Sequence, residues 1–376
     1  MKHVVVIGAG FAGLMALKQL VKSKSLKLTL INKDSYFLFT PRLTELLNDS
    51  ISKKIVLRNI SSIFGNKVNF IKGEAKYIDL KKKYVLAGKT KVSYNYLIMA
   101  QGATTNFFGN KSIEKNAMGY KGYNDVLKIK NKIRANIQKF STTNKKELLA
   151  FAVVGAGLTG IELICSLRET AIKEIKKYEN ITPRDARFIL MGASNDIAEQ
   201  LNKRARLKIH KFLKRNNTEV MTGIKVQDVK KEAIITNNGR IKASTVIWAA
   251  GVKANVIKTS PELALDKGST IKVDRKLRIP MYDNVYVGGD AALFIKDHKL
   301  LPQTAQVAFQ EGVYIGKNIL RRIKGKRETD FHYMFKGTLI ILGSKYGIYA
   351  NHATLSGKLI TYFRHLFYIH RFWQIT

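Results

Sequence analysis

The chain has 376 residues, 45% of them hydrophobic, so it is neither disordered nor too short to bury a sizeable core. It carries 66 Lys and Arg against 27 Asp and Glu, a formal charge of +39 that points to a polyanionic partner, either nucleic acid or an acidic membrane face. The single cysteine, Cys165, excludes an intramolecular disulfide, a CxxC pair and a four-cysteine metal site, and with them any route that passes electrons through a protein dithiol.

In chain order, Met1-Lys2-His3 leads straight into Val4-Val5-Val6-Ile7-Gly8, which reads as a buried strand and not as a signal peptide. Short β-branched runs then alternate with longer helical stretches, the pattern of a parallel α/β architecture. Val4 to Gly13 reads as strand, glycine turn and helix, with Leu28–Asn32 as the next strand. Tyr96–Met99 reads as a strand that runs into a glycine turn at Gly102. Phe151 to Gly160 repeats the opening segment, with Arg187–Met191 as its second strand. Val285-Tyr286-Val287 is a buried strand ending in Gly288-Gly289-Asp290. At roughly 100–200 residues per domain the chain holds two or three domains, and its five prolines leave no extended linker between them. No apolar run is long enough for a bilayer-spanning helix, and seven scattered histidines give no expectation of a metal site.

The repeated element is a dinucleotide-binding unit, and two in one chain are far more specific than one. Gly8 and Gly155 permit the tight turn, Gly10 and Gly157 let a pyrophosphate approach the backbone, and Gly13 and Gly160 let helix and strand pack closely. Phe11 and Ala12 complete the first turn. The helix N-terminus then offers free N–H groups and a positive dipole end to the diphosphate. Asp290, at the end of a strand, is suited to accept a hydrogen bond from a ligand hydroxyl.

These segments together resemble the two-dinucleotide-binding flavoproteins of the pyridine nucleotide–disulfide reductase superfamily, over nearly the whole chain. Within it the sequence is most similar to the type II NADH dehydrogenases, single-subunit NADH:quinone oxidoreductases. Four segments carry that narrower match: Phe37-Leu38-Phe39-Thr40-Pro41, Trp248 to Asn255 including Gly251, Ala305-Gln306-Val307-Ala308-Phe309-Gln310-Glu311-Gly312, and Phe331 to Gly337 with Gly343. The resemblance implies two Rossmann-like domains, for FAD (residues 1–118 and 253–325) and NAD(P)H (119–252). It also implies a C-terminal membrane-associating region (326–376), in which Phe331–Gly337 is a strand.

It implies that Gly8, Gly10, Gly13 and Asp290 hold FAD, that Thr40, Pro41, Gly102 and Ala305 lie near its ring, and that Gly155, Gly157 and Gly160 take the nicotinamide diphosphate. Glu162 would stand near the nicotinamide–flavin contact, with a helix-terminal carboxylate as the plain alternative. Gln306 and Gln310, four apart on one helix face, would reach a quinone carbonyl, and Lys336 would assist electrostatically or be an ordinary surface lysine. The implied reaction passes a hydride from NADH or NADPH to FAD, then two electrons to a quinone. With no iron–sulfur ligand set, proton pumping is not expected.

Two positions depart from the pattern. An acid commonly ends the second strand of each unit and bonds the adenosine ribose; here those places are Asn32 and Gly192. Asn32 retains a neutral hydrogen bond to FAD. Gly192 removes both the pairing that selects NADH and the repulsion against a 2′-phosphate, and Ser194, Lys203, Arg204 and Arg206 follow. NADPH is therefore expected to be tolerated or preferred.

The tail, Leu355–Gln374, reads as an amphipathic helix. Leu355, Leu359, Tyr362, Phe363, Leu366, Ile369 and Trp373 share one face; Lys358, Thr361, Arg364, His365, Tyr368 and Arg371 share the other. An aromatic face opposite a basic one fits a helix in an anionic membrane interface, and hence a peripheral enzyme at the cytoplasmic face of the cell membrane. The resemblance leaves a homodimer open. Three rivals stay in view: a sulfide:quinone oxidoreductase, which relies on cysteines beside the flavin; a ferredoxin or rubredoxin reductase, which lacks the quinone-site helix and tail; and a basic nucleic-acid-binding relic. The dispersed Lys and Arg residues form no recognised nucleic-acid motif, so no nucleic acid is expected.

Overall fold

The computed structural model describes the chain except residues 297, 298 and 352, and the side chain of residue 299. Its first sheet has six strands in the order Arg278–Ile279, Tyr282–Val287, Tyr96–Met99, Lys2–Ile7, Leu26–Asn32 and Asn69–Lys72. All neighbours run parallel except the edge pair at Arg278–Ile279. Val4, Val5, Val6 and Ile7 are buried on both faces, as a central parallel strand requires, which is why the run is continuously apolar. The second sheet has five parallel strands, Met118–Gly119, Thr245–Trp248, Ala150–Val154, Arg187–Met191 and Thr218–Met221. The chain is thus an α/β protein with two Rossmann-type sheets. Met118 pairs with Ile247, so the second sheet takes in a residue that the sequence assigned to the first domain.

Each unit's first helix is covered by a different later element. The helix Phe11–Leu20 lies under the helix Ala305–Ile323. A Cβ on Gly312 would stand 2.2 Å from the Ala12 carbonyl oxygen, and one on Gly316 would stand 2.7 Å from that of Ala16. Only glycines permit this crossing. The second unit's helix, Leu158–Ile175, is covered by a C-terminal three-stranded antiparallel sheet, Thr338–Leu342, Tyr346–Ala350 and Thr354–Gly357, followed by the helix Lys358–Ile375.

Two tail expectations are corrected here. Phe331–Gly337 forms no strand; regular pairing begins at Thr338. The helix expected from Leu355 starts at Lys358, because Thr354–Gly357 pairs with Gly347–Ala350. Of the basic face of that helix, Lys358 is exposed and Arg364 is buried. Arg364, 2% exposed, is turned into the protein, while Leu359, 72% exposed, with Tyr362, Phe363, Leu366 and Trp373, points away from it. The sequence gives the two faces of the helix; the buried acids described below decide which one is inside. Among the described residues, no helix is long and apolar enough to cross a membrane.

Candidate active site

The two glycine turns are built alike. Gly8 (φ +99°) and Gly155 (φ +117°) sit in the left-handed half of backbone space, and a Cβ on either would lie within 2.4 Å of a carbonyl oxygen, that of Ala100 or Ala249. A Cβ on Gly13 would meet the Gly8 oxygen at 2.0 Å, and one on Gly160 would meet that of Gly155 at 1.7 Å. Gly10 and Gly157 have nothing within 4 Å of an added Cβ, so each turn is open where a diphosphate passes. Neither following helix has a side-chain cap or an acid in its first turn, which leaves the N–H groups for an anion. Each cradle fits the diphosphate of a dinucleotide, FAD or a nicotinamide nucleotide alike. The Ala9 N–H donates to Asn32 Oδ1 at 2.9 Å, so Asn32 fastens the first turn to its second strand.

Asp290 stands in a short turn at the end of Tyr282–Val287. Its Oδ2 pairs with Lys121 Nζ at 2.8 Å, a residue with no sequence signal, and its carbonyl accepts from Gln303. The Gly289 N–H next to it donates to Glu311 Oε2 at 2.6 Å. Glu311 is buried, and burial, with some help from the Asp290 charge and against the Gly289 hydrogen bond, pushes its carboxyl up to about 8. The segment Ala305–Gly312 therefore splits: Glu311 and Gly312 secure the first unit, while Gln306 and Gln310 face a cavity. Gly102 lies in the turn after the strand Tyr96–Met99, its carbonyl accepting from the Asn255 N–H. Gly251 accepts from the Asn106 N–H and lies against Phe108.

The cavity encloses about 540 Å³. Phe11, Phe39, Pro41 and Ala305 line its inner end, Gln306, Phe309, Gln310 and Lys336 one wall, and Phe363, Phe367, Tyr368 and Arg371 of the last helix its roof. Thr40 adjoins this lining through Phe39 and Pro41. Phe39 packs edge-on against Phe11 and Tyr368 at 5.3 and 5.4 Å between ring centroids. Both glutamine amides are engaged with the irregular segment beside them. Gln306 Oε1 accepts from Tyr333 OH at 3.0 Å and the Lys336 N–H at 2.8 Å, and Gln310 exchanges bonds with the backbone of Met334. That segment is irregular because side chains, not a neighbouring strand, satisfy its backbone.

Behind the cavity lies a buried charge cluster. Arg42 binds Glu45 through two nitrogens at 2.8 and 3.0 Å. Arg364 Nη1 reaches Glu45 at 2.9 Å, and its Nη2 reaches the Pro41 carbonyl at 2.9 Å and Glu162 at 3.4 Å. Glu162 also accepts from the Ile341 N–H at 2.8 Å. Burial raises its carboxyl above the usual range, with Arg364 opposing. His365 Nδ1 lies 2.7 Å from Arg42 Nη2; burial and that guanidinium hold the imidazole below its usual range. The expected residue Glu162 is thus tied to the tail and, through Arg364, to the loop that holds Pro41. Sequence reasoning missed Arg42 and Glu45. The signal available was a lone acid inside the apolar run Leu43–Leu47. Cys165 is buried in the helix after Gly160, and burial pushes its thiol up, so it is no thiolate donor. No metal-binding cluster occurs among the described residues.

Two cradles, a strand-end aspartate and an apolar cavity beside the first cradle define a two-nucleotide flavoprotein oxidoreductase. The chain belongs to the pyridine nucleotide-disulphide oxidoreductase family, whose profile matches residues 2–312. Within it, the chain is similar to the type II NADH:quinone oxidoreductase Ndh of Mycobacterium tuberculosis, with 29% identity over 365 residues, 90% of this chain and 77% of that one. It is similar also to the type II NADH:quinone oxidoreductase of Staphylococcus aureus, with 26% identity over 359 residues, 92% of this chain and 89% of that one. In fold it is similar to NDH2 from Plasmodium falciparum in complex with NADH, with TM-score 0.90, 22% identity, 100% of this chain and 96% of that one. The sulfide:quinone oxidoreductase from Aquifex aeolicus shares the fold at TM-score 0.82 and 18% identity, covering 100% of this chain and 91% of that one.

Proposed function

We propose that the chain is an FAD-dependent NAD(P)H:quinone oxidoreductase that docks, without spanning, on the cytoplasmic face of the cell membrane and pumps no protons. The observation that carries this reading is the cavity of about 540 Å³, apolar along most of its lining and roofed by a helix whose outward face is aromatic and aliphatic. A lipid-soluble quinone suits that space, and the names of the chain's relatives support the same acceptor. The overall reaction is NAD(P)H + H⁺ + quinone → NAD(P)⁺ + quinol. FAD, when bound, would supply the two-electron relay between the two substrates.

The chain's own residues do the rest. The turns at Gly8–Gly13 and Gly155–Gly160 bind the two diphosphates, and Asp290, held by Lys121, orients the ribityl chain. Gln306 and Gln310 hold the segment that carries Lys336 at the cavity, where its ammonium offsets negative charge on a reduced quinone oxygen. Glu162, held by Arg364 and the Ile341 N–H, is the carboxyl placed to accept or return a proton beside the nicotinamide contact.

The test is anaerobic titration of the purified flavoprotein with NADH, NADPH and sulfide, followed by quinone. Bleaching of the flavin by a nicotinamide nucleotide and its recolouring by quinone is the expected result. Bleaching by sulfide, or no recolouring, would overturn it. The likeness to the sulfide:quinone oxidoreductase keeps that second reading in view, but the one thiol of this chain is buried in the second unit's helix.

A further inference from the structure

The second unit departs from the first at the place where the adenosine ribose of a dinucleotide is read. An acid there bonds the 2′-hydroxyl and repels a 2′-phosphate, while a nearby cationic side chain accommodates the phosphate. The strand Arg187–Met191 ends at Gly192, and a Cβ at this position would stand 2.6 Å from the Ala156 Cβ. The backbone is fixed there: the Gly192 N–H donates to Met221, and the Gly192 carbonyl accepts from Ile224. A side chain, and with it the acid that would repel a 2′-phosphate, is therefore excluded at this position by Ala156 of the glycine turn.

The loop that follows folds back on the same turn, the Ala198 N–H donating to the Ala156 carbonyl at 2.9 Å. It contains two acids. Asp196 is consumed internally, with Oδ2 on Arg206 at 2.6 Å and Oδ1 on His210 at 2.8 Å and on the Ile197 N–H at 2.7 Å. Glu199 is exposed near the end of the loop. The Asp196–Arg206 pair clamps the loop to the first turns of the helix Lys203–Arg215, which carries seven Lys or Arg residues and no acid. Lys203 and Arg204 open that helix, are exposed, and make no ion pair among the described residues. Ser194 lies two residues past Gly192 and is exposed. In the first unit, by contrast, Asn32 occupies the corresponding place and fills it with a hydrogen bond to Ala9.

We propose that Gly192, Ser194, Lys203 and Arg204 form a 2′-phosphate subsite, and that the nicotinamide nucleotide used by this chain is NADPH. The inference rests on the reading of the second unit as the nicotinamide-nucleotide site. The chemistry is unchanged: NADPH loses the electron pair and one hydrogen, the quinone gains them with one proton from solvent, and NADP⁺ leaves.

The test is equilibrium binding of NADP⁺ and of NAD⁺ to the flavin-loaded protein by calorimetry, repeated with the double variant Lys203→Glu, Arg204→Glu. These side chains are exposed, so the fold survives their exchange. Expected are at least tenfold tighter binding of NADP⁺ than of NAD⁺, and a loss of at least tenfold for NADP⁺ in the variant with NAD⁺ shifted less than twofold. Equal or tighter binding of NAD⁺, or an equal loss for both nucleotides in the variant, overturns the subsite while leaving the oxidoreductase reading intact. Binding of neither nucleotide overturns both.

Discussion

The two dinucleotide units share a skeleton and differ in how they are closed. The first is sealed by helix on helix, with Gly312 and Gly316 seated on the Ala12 and Ala16 carbonyls and one buried carboxyl, Glu311, on the adjoining turn. The second is covered by side chains: apolar ones of the C-terminal sheet, Ile340, Leu342 and Ile348, and with them the polar contacts of Glu162 with Arg364 and Ile341, and of Glu169 with Asn48 and Ser344. Close backbone contact has one geometry, whereas ionic contacts re-form in several. The seal matches the proposed occupants, a resident cofactor in the first unit and a substrate that enters and leaves in the second.

The sharpest way to break that contrast is to remove its ionic half. Arg364→Ala leaves Glu45 and Glu162 buried without their shared partner and is expected to cost about 3–5 kcal/mol, read as a lowered denaturation midpoint. A loss below about 1 kcal/mol would mean that the second unit does not depend on these pairs. Gly312→Ala tests the other half. Its methyl would press on the Ala12 backbone, at an expected cost of about 1–3 kcal/mol, together with weaker retention of FAD measured by flavin release.

Glu311 gives a subtler readout. Its carboxyl stands at about 8 in the folded chain against 4.5 for an unperturbed glutamate. The folded state therefore keeps a proton that the unfolded chain has already released. Its contribution is fully present below about pH 4.5 and is lost as the pH rises to about 8. Glu311→Gln should flatten the Tm-against-pH curve across that window; an unchanged slope would remove Glu311 as its source. The smallest effect on stability is expected from Leu359→Asp with Leu366→Asp on the outward tail face, roughly 0.5 kcal/mol or less each. The same pair should abolish co-sedimentation with anionic liposomes, and undiminished sedimentation would take the tail out of membrane docking.

The glycine turns were legible because steric exclusion is local: Gly8, Gly13, Gly155 and Gly160 are positions where backbone within a few ångströms forbids any side chain. The cavity wall was legible through Ala305–Gly312, although the motif alone did not reveal that Glu311 and Gly312 face the opposite way from Gln306 and Gln310. The charge cluster was not legible, since Arg364 meets Glu45 across 319 residues and Glu162 across 202. A helical projection sorts side chains into faces without fixing which face turns inward. Phe331–Gly337 misled for a related reason: its backbone partners are glutamine side chains, which strand patterning does not register.

Phe363 and Phe367 line the cavity and also stand 61% and 41% exposed on the outward side of the last helix. On a lipid surface these two rings would let a quinone pass from the acyl region to the reacting end without crossing water. Turnover would then be governed by surface dilution, following the mole fraction of quinone among the lipids and not its amount per litre of buffer. Adding quinone-free vesicles or detergent would slow the reaction although the total quinone is unchanged.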